Sequence, residues 1–218
     1  MSNEYILTML VIISFSYFLG SIPTAYLVAK SHHVDIFNVG SGNMGGTNVA
    51  RTLGLRWGVF VGLVDTVKGI VAIYVAQAIA PASKAGAISV AATVVVLGHN
   101  WSLLASILSG TIRKGKIPGG KGAATAFGTL LMFAPIHVII IMAAVCGVII
   151  LLTRYVSLGV LISFSLGIIW LTVLILQSKL EPDMMFYLWT LALMMAIRFR
   201  SNIQRLIAGT ERRFGERV

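Results

Sequence analysis

Three short stretches of this chain combine glycine, small polar residues and cations in a way that suits anion chemistry. Residues 40–51 read GSGNMGGTNVAR, 98–102 read GHNWS and 118–125 read PGGKGAAT. Glycine-rich turns and helix N-termini expose backbone N–H groups and form concave, positive sites for anions. In the first stretch Gly40 and Gly42 offer bare backbone, Ser41, Asn43, Thr47 and Asn48 add side-chain donors, and Arg51 adds a planar fork matched to phosphate. In the third, Lys121 stands among Gly119, Gly120 and Gly122, where a helix is about to begin. His99 adds a group that titrates near neutral pH. One glycine-rich loop is commonly just a turn, and a lone histidine at a helix end commonly makes a structural hydrogen bond. The conjunction of three such stretches, two of them cationic, points to a phosphorylated polar substrate. GGKGAAT lacks the G-x-x-x-x-G-K-[ST] spacing of a nucleotide-binding loop. No metal-ligating constellation is visible, so neither a metal nor a cofactor is expected.

These stretches are set in an apolar chain. Of 218 residues 57% are hydrophobic and 11% charged, against about 25% charged in soluble domains. No charge falls within 5–29, 85–112, 122–153, 155–178 or 184–197, and a membrane helix needs about 20 apolar residues. The chain reads as an all-α polytopic membrane protein forming a single domain over 1–218. Its first run lacks a basic leader and an evident cleavage site, so it reads as a span rather than a signal peptide. Seven transmembrane helices fit: about 5–29, 57–80, 85–108, 122–134, 136–152, 156–177 and 184–197. Residues 122–153 would run about 48 Å as one helix, against a hydrocarbon core of about 30 Å, and Pro135 marks the place for a turn between two shorter ones. Cys146 is read as a small packing residue.

Basic residues orient the spans. With the N-terminus outside, the cytoplasmic segments hold Lys30, Arg51 and Arg56, then Arg113, Lys114, Lys116 and Lys121, then Arg154, then Arg198, Arg200, Arg205, Arg212, Arg213 and Arg217. Only Lys84 and Lys179 fall outside, and Lys68 lies within a span. Six spans would turn the C-terminal arginines outward, against the positive-inside tendency. The expected topology is therefore N-terminus out, C-terminus in, with all three glycine-rich stretches toward the cytoplasm. The net charge of +10 then serves orientation and contact with anionic membrane lipid; nucleic acid is not an expected partner. Asp65 and Lys68, three residues apart in the second span, can meet on one helix face and are expected to pair and brace the first polar loop.

The order and spacing of GSIP (20–23), DIFNVGSGNMGGTNVARTLG (35–54), DTVKG (65–69), GH (98–99), GGKGAATAFG (119–128), TRYVSLG (153–159) and NIQRLIAGTE (202–211) resemble the bacterial acyl-phosphate-dependent glycerol-3-phosphate acyltransferases, the PlsY family, over nearly the whole chain. The resemblance implies an inner-membrane enzyme of phospholipid biosynthesis with a cytoplasmic active site. It would transfer an acyl group from acyl phosphate to the 1-hydroxyl of glycerol 3-phosphate, giving lysophosphatidic acid and phosphate. By motif, Ser41, Asn43, Arg51, His99 and Lys121 carry over as site residues, with Ser157 after the fifth apolar run and Asn202 near the C-terminus. Three departures stand out. Gly46 occupies a position that is usually alanine, a change expected to be mild. Ser102 stands where proline is usual, followed by an insertion of about ten residues that includes 109–117. Phe199 and Ser201 replace a usual histidine and acid, with Arg200 as a candidate substitute for the histidine.

An acyl phosphate is already an activated anhydride, and no serine sits in a G-x-S-x-G elbow. Direct attack of the glycerol hydroxyl, without a covalent acyl-enzyme, is the expected route. Arg51 and Lys121 would clamp the two phosphates, while Asn43 and the glycine amides would steady the oxyanion. The proton would pass to His99 or to the departing phosphate. A transporter of a phosphorylated anion would also use broken helices with glycine-rich ends, but no inverted repeat is visible. An inactive lipid-binding homologue is the other alternative.

Overall fold

The structure, a computed structural model, describes residues 3–80, 84–114 and 117–215. Lys116 and Arg217, used in the charge pattern, and residues 115 and 116 of the 109–117 insertion lie outside the described residues. Ten α-helices follow one another among the described residues: α1 (Asn3–Ser21), α2 (Thr24–Ser31), α3 (Gly46–Leu53), α4 (Leu55–Ile79), α5 (Lys84–Asn100), α6 (Leu103–Leu108), α7 (Ala123–Leu131), α8 (Ile136–Thr153), α9 (Val156–Leu176) and α10 (Met184–Ile207). Among the described residues, five segments are long and apolar enough to cross a membrane: Asn3–Ser31, Leu55–Ile79, Ala85–Leu108, Ile136–Thr153 and Val156–Leu176. Many large apolar side chains point outward, Leu7, Leu63, Tyr74, Leu151, Leu152 and Trp189 among them. That is the pattern of a surface whose solvent is lipid.

The remaining two expected spans have a different character. The run 122–153 does break near Pro135, but its first half, α7, has nine residues and rises only about 14 Å. Helix α10 continues well past the apolar run, carrying Arg198, Arg200 and Arg205 in its second half. Hydropathy ended the expected span at 197; the helix runs on because nothing in 198–207 breaks it.

Two other expected helices are interrupted. The first breaks at Pro23, which has no N–H to donate. Lys68 fills that break: its Nζ donates to Ile22 O at 2.7 Å, Thr24 Oγ1 at 2.6 Å and Asp65 Oδ1 at 2.6 Å. The Asp65–Lys68 pair thus forms as expected, and it braces the α1–α2 break. The third expected helix breaks between α5 and α6, where Ser102 caps α6 by accepting from Ala105 N at 2.9 Å. Ser102 N also donates to Pro118 O, a bond that proline could not make. Serine therefore does the work of a helix breaker here and adds a tie to the third glycine-rich stretch. The two breaks meet through Ser21 and Ser102, whose hydroxyls are 3.1 Å apart.

Helices approach closely where glycines face one another. A Cβ on Gly98 of α5 would collide with Tyr17 O of α1, and one on Gly128 of α7 with Thr66 O of α4. At the α3–α4 crossing, a Cβ on Gly46 would lie 2.6 Å from Gly58 O. Alanine at 46 is therefore not the mild change expected: in this backbone it forces α3 away from α4.

Candidate active site

One cavity of about 620 Å³ joins the sequence-distant stretches. Ser41, Asn43, Arg51, His99, Lys121, Gly122, Ser157 and Asn202 all line it. Gly40, Gly42, Gly119 and Gly120 do not. The division has a physical reason. Gly40 and Gly42 sit at φ 58° and 64°, the left-handed region that favours glycine, and they shape the turn behind Ser41. Gly119 and Gly120 pack against α5: the Gly120 N–H donates to His99 O at 2.9 Å, and a Cβ on Gly120 would strike the His99 ring at Nε2. The Gly120 amide, which the sequence suggested for a phosphate cradle, is thus committed to α5.

Three helix starts border the cavity instead; of their amides, that of Gly45 is already bonded to Asn43 O. Gly45, Gly46 and Thr47 open α3, Gly122, Ala123 and Ala124 open α7, and Val156 and Ser157 open α9; all eight residues line the cavity. First-turn amides have no partner within their own helix and carry the positive end of its dipole. Convergence of three such ends on one space is a general design for anion binding. The α7 and α9 starts were legible beforehand, through Lys121 and through the span over 156–177 with Ser157; α3 lay in what read as a loop.

Side chains complete the polar end. Asn48, expected to face substrate, is committed to the loop: its Oδ1 accepts from Ser41 N at 2.9 Å, and its Nδ2 donates to Val39 O and Asn43 O, both at 3.2 Å. It thereby fixes the turn that presents Ser41 and Asn43. Arg51 lies at the cavity wall with Nη2 donating to Arg212 O at 3.1 Å. The Lys121 Nζ lies 5.0 Å from the centroid of the Phe199 ring. Burial, reinforced by Arg205, Arg51 and Arg198 nearby, lowers this ammonium to a pKa of about 8, although Glu211 pulls the other way. Phe199 is buried and lines the cavity, whereas Arg200 is exposed and does not. Arg200 therefore does not stand in for a histidine at position 199; the ring makes a cation–π platform there instead.

Glu211 is the polar residue to which the sequence reading gave no role. The chain folds back after α10 and buries this carboxylate, which accepts from Ser157 Oγ at 2.9 Å, Asn202 Nδ2 at 2.7 Å and Arg205 Nε at 2.8 Å. Burial pushes its pKa up, but those hydrogen bonds outweigh burial and hold it below the ordinary carboxylate range. Its position within NIQRLIAGTE was the available clue. Across the cavity, the His99 Nδ1 lies 3.8 Å from Asp65 Oδ1.

Away from this end the lining is apolar: Leu63, Phe127, Met142, Ile150, Val160 and Phe164 lie between α4, α7, α8 and α9. Cys146, expected to be buried in packing, is half-buried and belongs to this wall.

An all-helical chain with five membrane-length apolar segments among its described residues, enclosing a cavity with cationic and apolar lining, has the character of an integral membrane protein whose site suits an amphiphilic anion. The family model described as glycerol-3-phosphate acyltransferase matches residues 10–209. Relatives named glycerol-3-phosphate acyltransferase include one from Thermus thermophilus, 38% identical over 206 residues that cover 93% of this chain and 94% of that protein. Another, from Geobacter sulfurreducens, is 35% identical over 215 residues covering 98% and 99%. The crystal structure of PlsY (YgiH), an integral membrane glycerol 3-phosphate acyltransferase, in its glycerol 3-phosphate form matches with a TM-score of 0.82 at 32% identity, covering 95% of this chain and 96% of that one. The same protein's lysophosphatidic acid form matches with a TM-score of 0.79. The chain belongs to the glycerol-3-phosphate acyltransferase family.

Proposed function

We propose that this protein transfers a fatty acyl group from acyl phosphate to the 1-hydroxyl of sn-glycerol 3-phosphate, releasing lysophosphatidic acid and inorganic phosphate. The observation that carries this reading is the cavity itself. Arg51, Lys121, Arg205 and Arg212 are among its lining residues, and apolar side chains of α4, α7, α8 and α9 make up much of the rest. Arg51 with the α3 start holds the phosphate of glycerol 3-phosphate; Lys121 with the α7 start holds that of the donor. The acyl chain lies against the lining between α4, α7, α8 and α9. On this reading the chain crosses seven times with an outer N-terminus and a cytoplasmic C-terminus, which puts the polar end at the cytoplasmic face of a bacterial inner membrane. The basic residues flanking the helices support that orientation.

Chemistry then follows from positioning. The glycerol hydroxyl attacks the acyl carbonyl, the carbonyl carbon's bond to the phosphate oxygen breaks, and phosphate leaves with the electron pair. Asn43 and the helix-start amides stabilise the transient oxyanion. His99 takes the hydroxyl proton, with the Asp65 carboxylate facing its other ring nitrogen; such contacts are often long in a free enzyme and tighten with substrate. Ser41 contacts the attacking hydroxyl. Ser157 and Asn202, both tied to Glu211, hold the glycerol backbone. Placing two reactants side by side supplies about 7–11 kcal/mol in favourable intramolecular cases, so no covalent intermediate is required.

The test uses purified protein in detergent with labelled glycerol 3-phosphate and, separately, acyl phosphate, acyl-CoA and acyl carrier protein thioester. Lysophosphatidic acid is expected with acyl phosphate alone, together with an equal amount of phosphate. Product from a thioester but not from acyl phosphate refutes the donor assignment. Uptake of label into proteoliposomes without product would assign the cavity to transport instead.

A further inference from the structure

Arg198 does not line the cavity, yet it grips the segment that delivers Lys121 to it. Its Nε donates to Gly120 O and its Nη2 to Gly119 O, both at 2.8 Å. A guanidinium offers two donors in a rigid planar fork; an ammonium cannot reproduce that geometry. The guanidinium also lies over the Trp101 ring, 5.4 Å from its centroid, which fixes it from the α5 side. The two glycines are closed in from that side too. Gly120 N–H is bonded to His99 O, and a Cβ on Gly119 would collide with Asn100 O. The segment is thus clamped between α5 and α10 in the two residues immediately before Lys121. The residue after Arg198, Phe199, supplies the ring beside the Lys121 ammonium. With the two carbonyls held by Arg198, their negative ends are neutralised next to a site that must receive anions.

We propose that Arg198 is a positioning residue for acyl transfer: its fork on the Gly119 and Gly120 carbonyls sets where the Lys121 ammonium stands in the cavity. It touches no reacting atom and acts through Lys121. The inference rests on the donor-phosphate role given to Lys121 above.

The experiment compares the full-length wild type with Arg198→Gln and Arg198→Lys in detergent, from about pH 6.5 to 9.5. Acyl phosphate is varied at saturating glycerol 3-phosphate, and the reverse. Displacements near 1 Å at a reacting centre can cost on the order of 100-fold, so Arg198→Gln is expected to lower kcat/KM for acyl phosphate by about 10- to 100-fold. KM for glycerol 3-phosphate should stay within about twofold, since Arg51 is untouched. The alkaline limb set by Lys121 should move to higher pH, because one of the positive neighbours that lower it is gone. Arg198→Lys keeps the charge and loses the fork. It should lower kcat/KM for acyl phosphate while leaving the limb in place. If Arg198→Gln does not fold, Arg198→Lys decides alone: an unchanged unfolding temperature with reduced donor kcat/KM supports the inference, and wild-type donor kcat/KM overturns it. Wild-type efficiency in either folded variant, or a loss shared equally by both substrates, also overturns it. Absence of acyl phosphate turnover in the wild type removes the functional reading and this inference together; turnover in the wild type with no effect at position 198 removes only the inference.

Discussion

Lys121 gives the sharpest prediction, because its environment fixes both a direction and a pH. With a pKa of about 8 in the free protein, the ammonium fraction is about nine-tenths at pH 7, about half at pH 8 and about one-tenth at pH 9. An ordinary lysine, at 10.5, would remain almost fully charged over that range. If only the ammonium binds the donor phosphate productively, kcat/KM for acyl phosphate falls about tenfold between pH 7 and 9. A bound phosphate favours the charged form, so kcat at saturating donor should hold to higher pH than kcat/KM, which reports the free enzyme. The assay is initial phosphate release at low donor, corrected for spontaneous hydrolysis. Lys121→Arg provides the control: a guanidinium stays charged throughout, so whatever activity remains should lack the limb. A wild-type profile flat to about pH 9.5, or an identical limb in Lys121→Arg, would refute the reasoning.

Other substitutions test other parts of the site. Lys121→Met should abolish phosphate release from acyl phosphate, read in the same assay. Glu211→Ala leaves Arg205, Asn202 and Ser157 without their shared acceptor; breaking a buried charged contact costs about 3–5 kcal/mol, reduced here because Arg205 is about a third exposed, so a loss of about 2–3 kcal/mol is expected in detergent unfolding. Because Glu211 is held below its ordinary pKa, its contribution is complete above the unfolded carboxylate value of about 4.3 and disappears as pH falls through the folded value. The stability gap between wild type and Glu211→Gln should therefore narrow with acidification. Gly46→Ala, with its Cβ 2.6 Å from Gly58 O, should lower both unfolding temperature and kcat. Phe199→Leu removes the ring face beside the ammonium, a contact of about 0.5–2 kcal/mol, and should raise KM for acyl phosphate by about 2- to 30-fold with glycerol 3-phosphate binding unchanged in titration calorimetry.

The sequence revealed membrane character, the break near Pro135 and the convergence of three polar stretches. Each depended on local composition: uncharged runs, a missing N–H, bare backbone beside a cation. What it hid depended on packing between distant segments. Gly119 and Gly120 looked like a cradle because glycine bares the amide, but they are glycine so that the segment can press against His99 and Asn100. Asn48 looked like a donor to substrate, yet its amide satisfies carbonyls of its own loop. The break at Pro23 was passed over because the hydrophobic run continues through it; the Ile22 carbonyl at the break is met by Thr24 N–H and by the Lys68 ammonium from α4. Glu211 stood at the end of NIQRLIAGTE, but its role depends on the chain after α10 folding back onto Ser157.

The central claim is that one cavity grips two anions at once. The direct measurement is a crystal structure with glycerol 3-phosphate and a non-hydrolysable acyl phosphonate bound together. The account predicts both phosphorus atoms in this cavity, one within hydrogen-bond reach of Arg51 and the first turn of α3, the other of Lys121 and the first turn of α7, with the chain between α4, α7, α8 and α9. Either phosphorus atom bound outside that cavity, or only one bound at saturating concentrations of both, would contradict it.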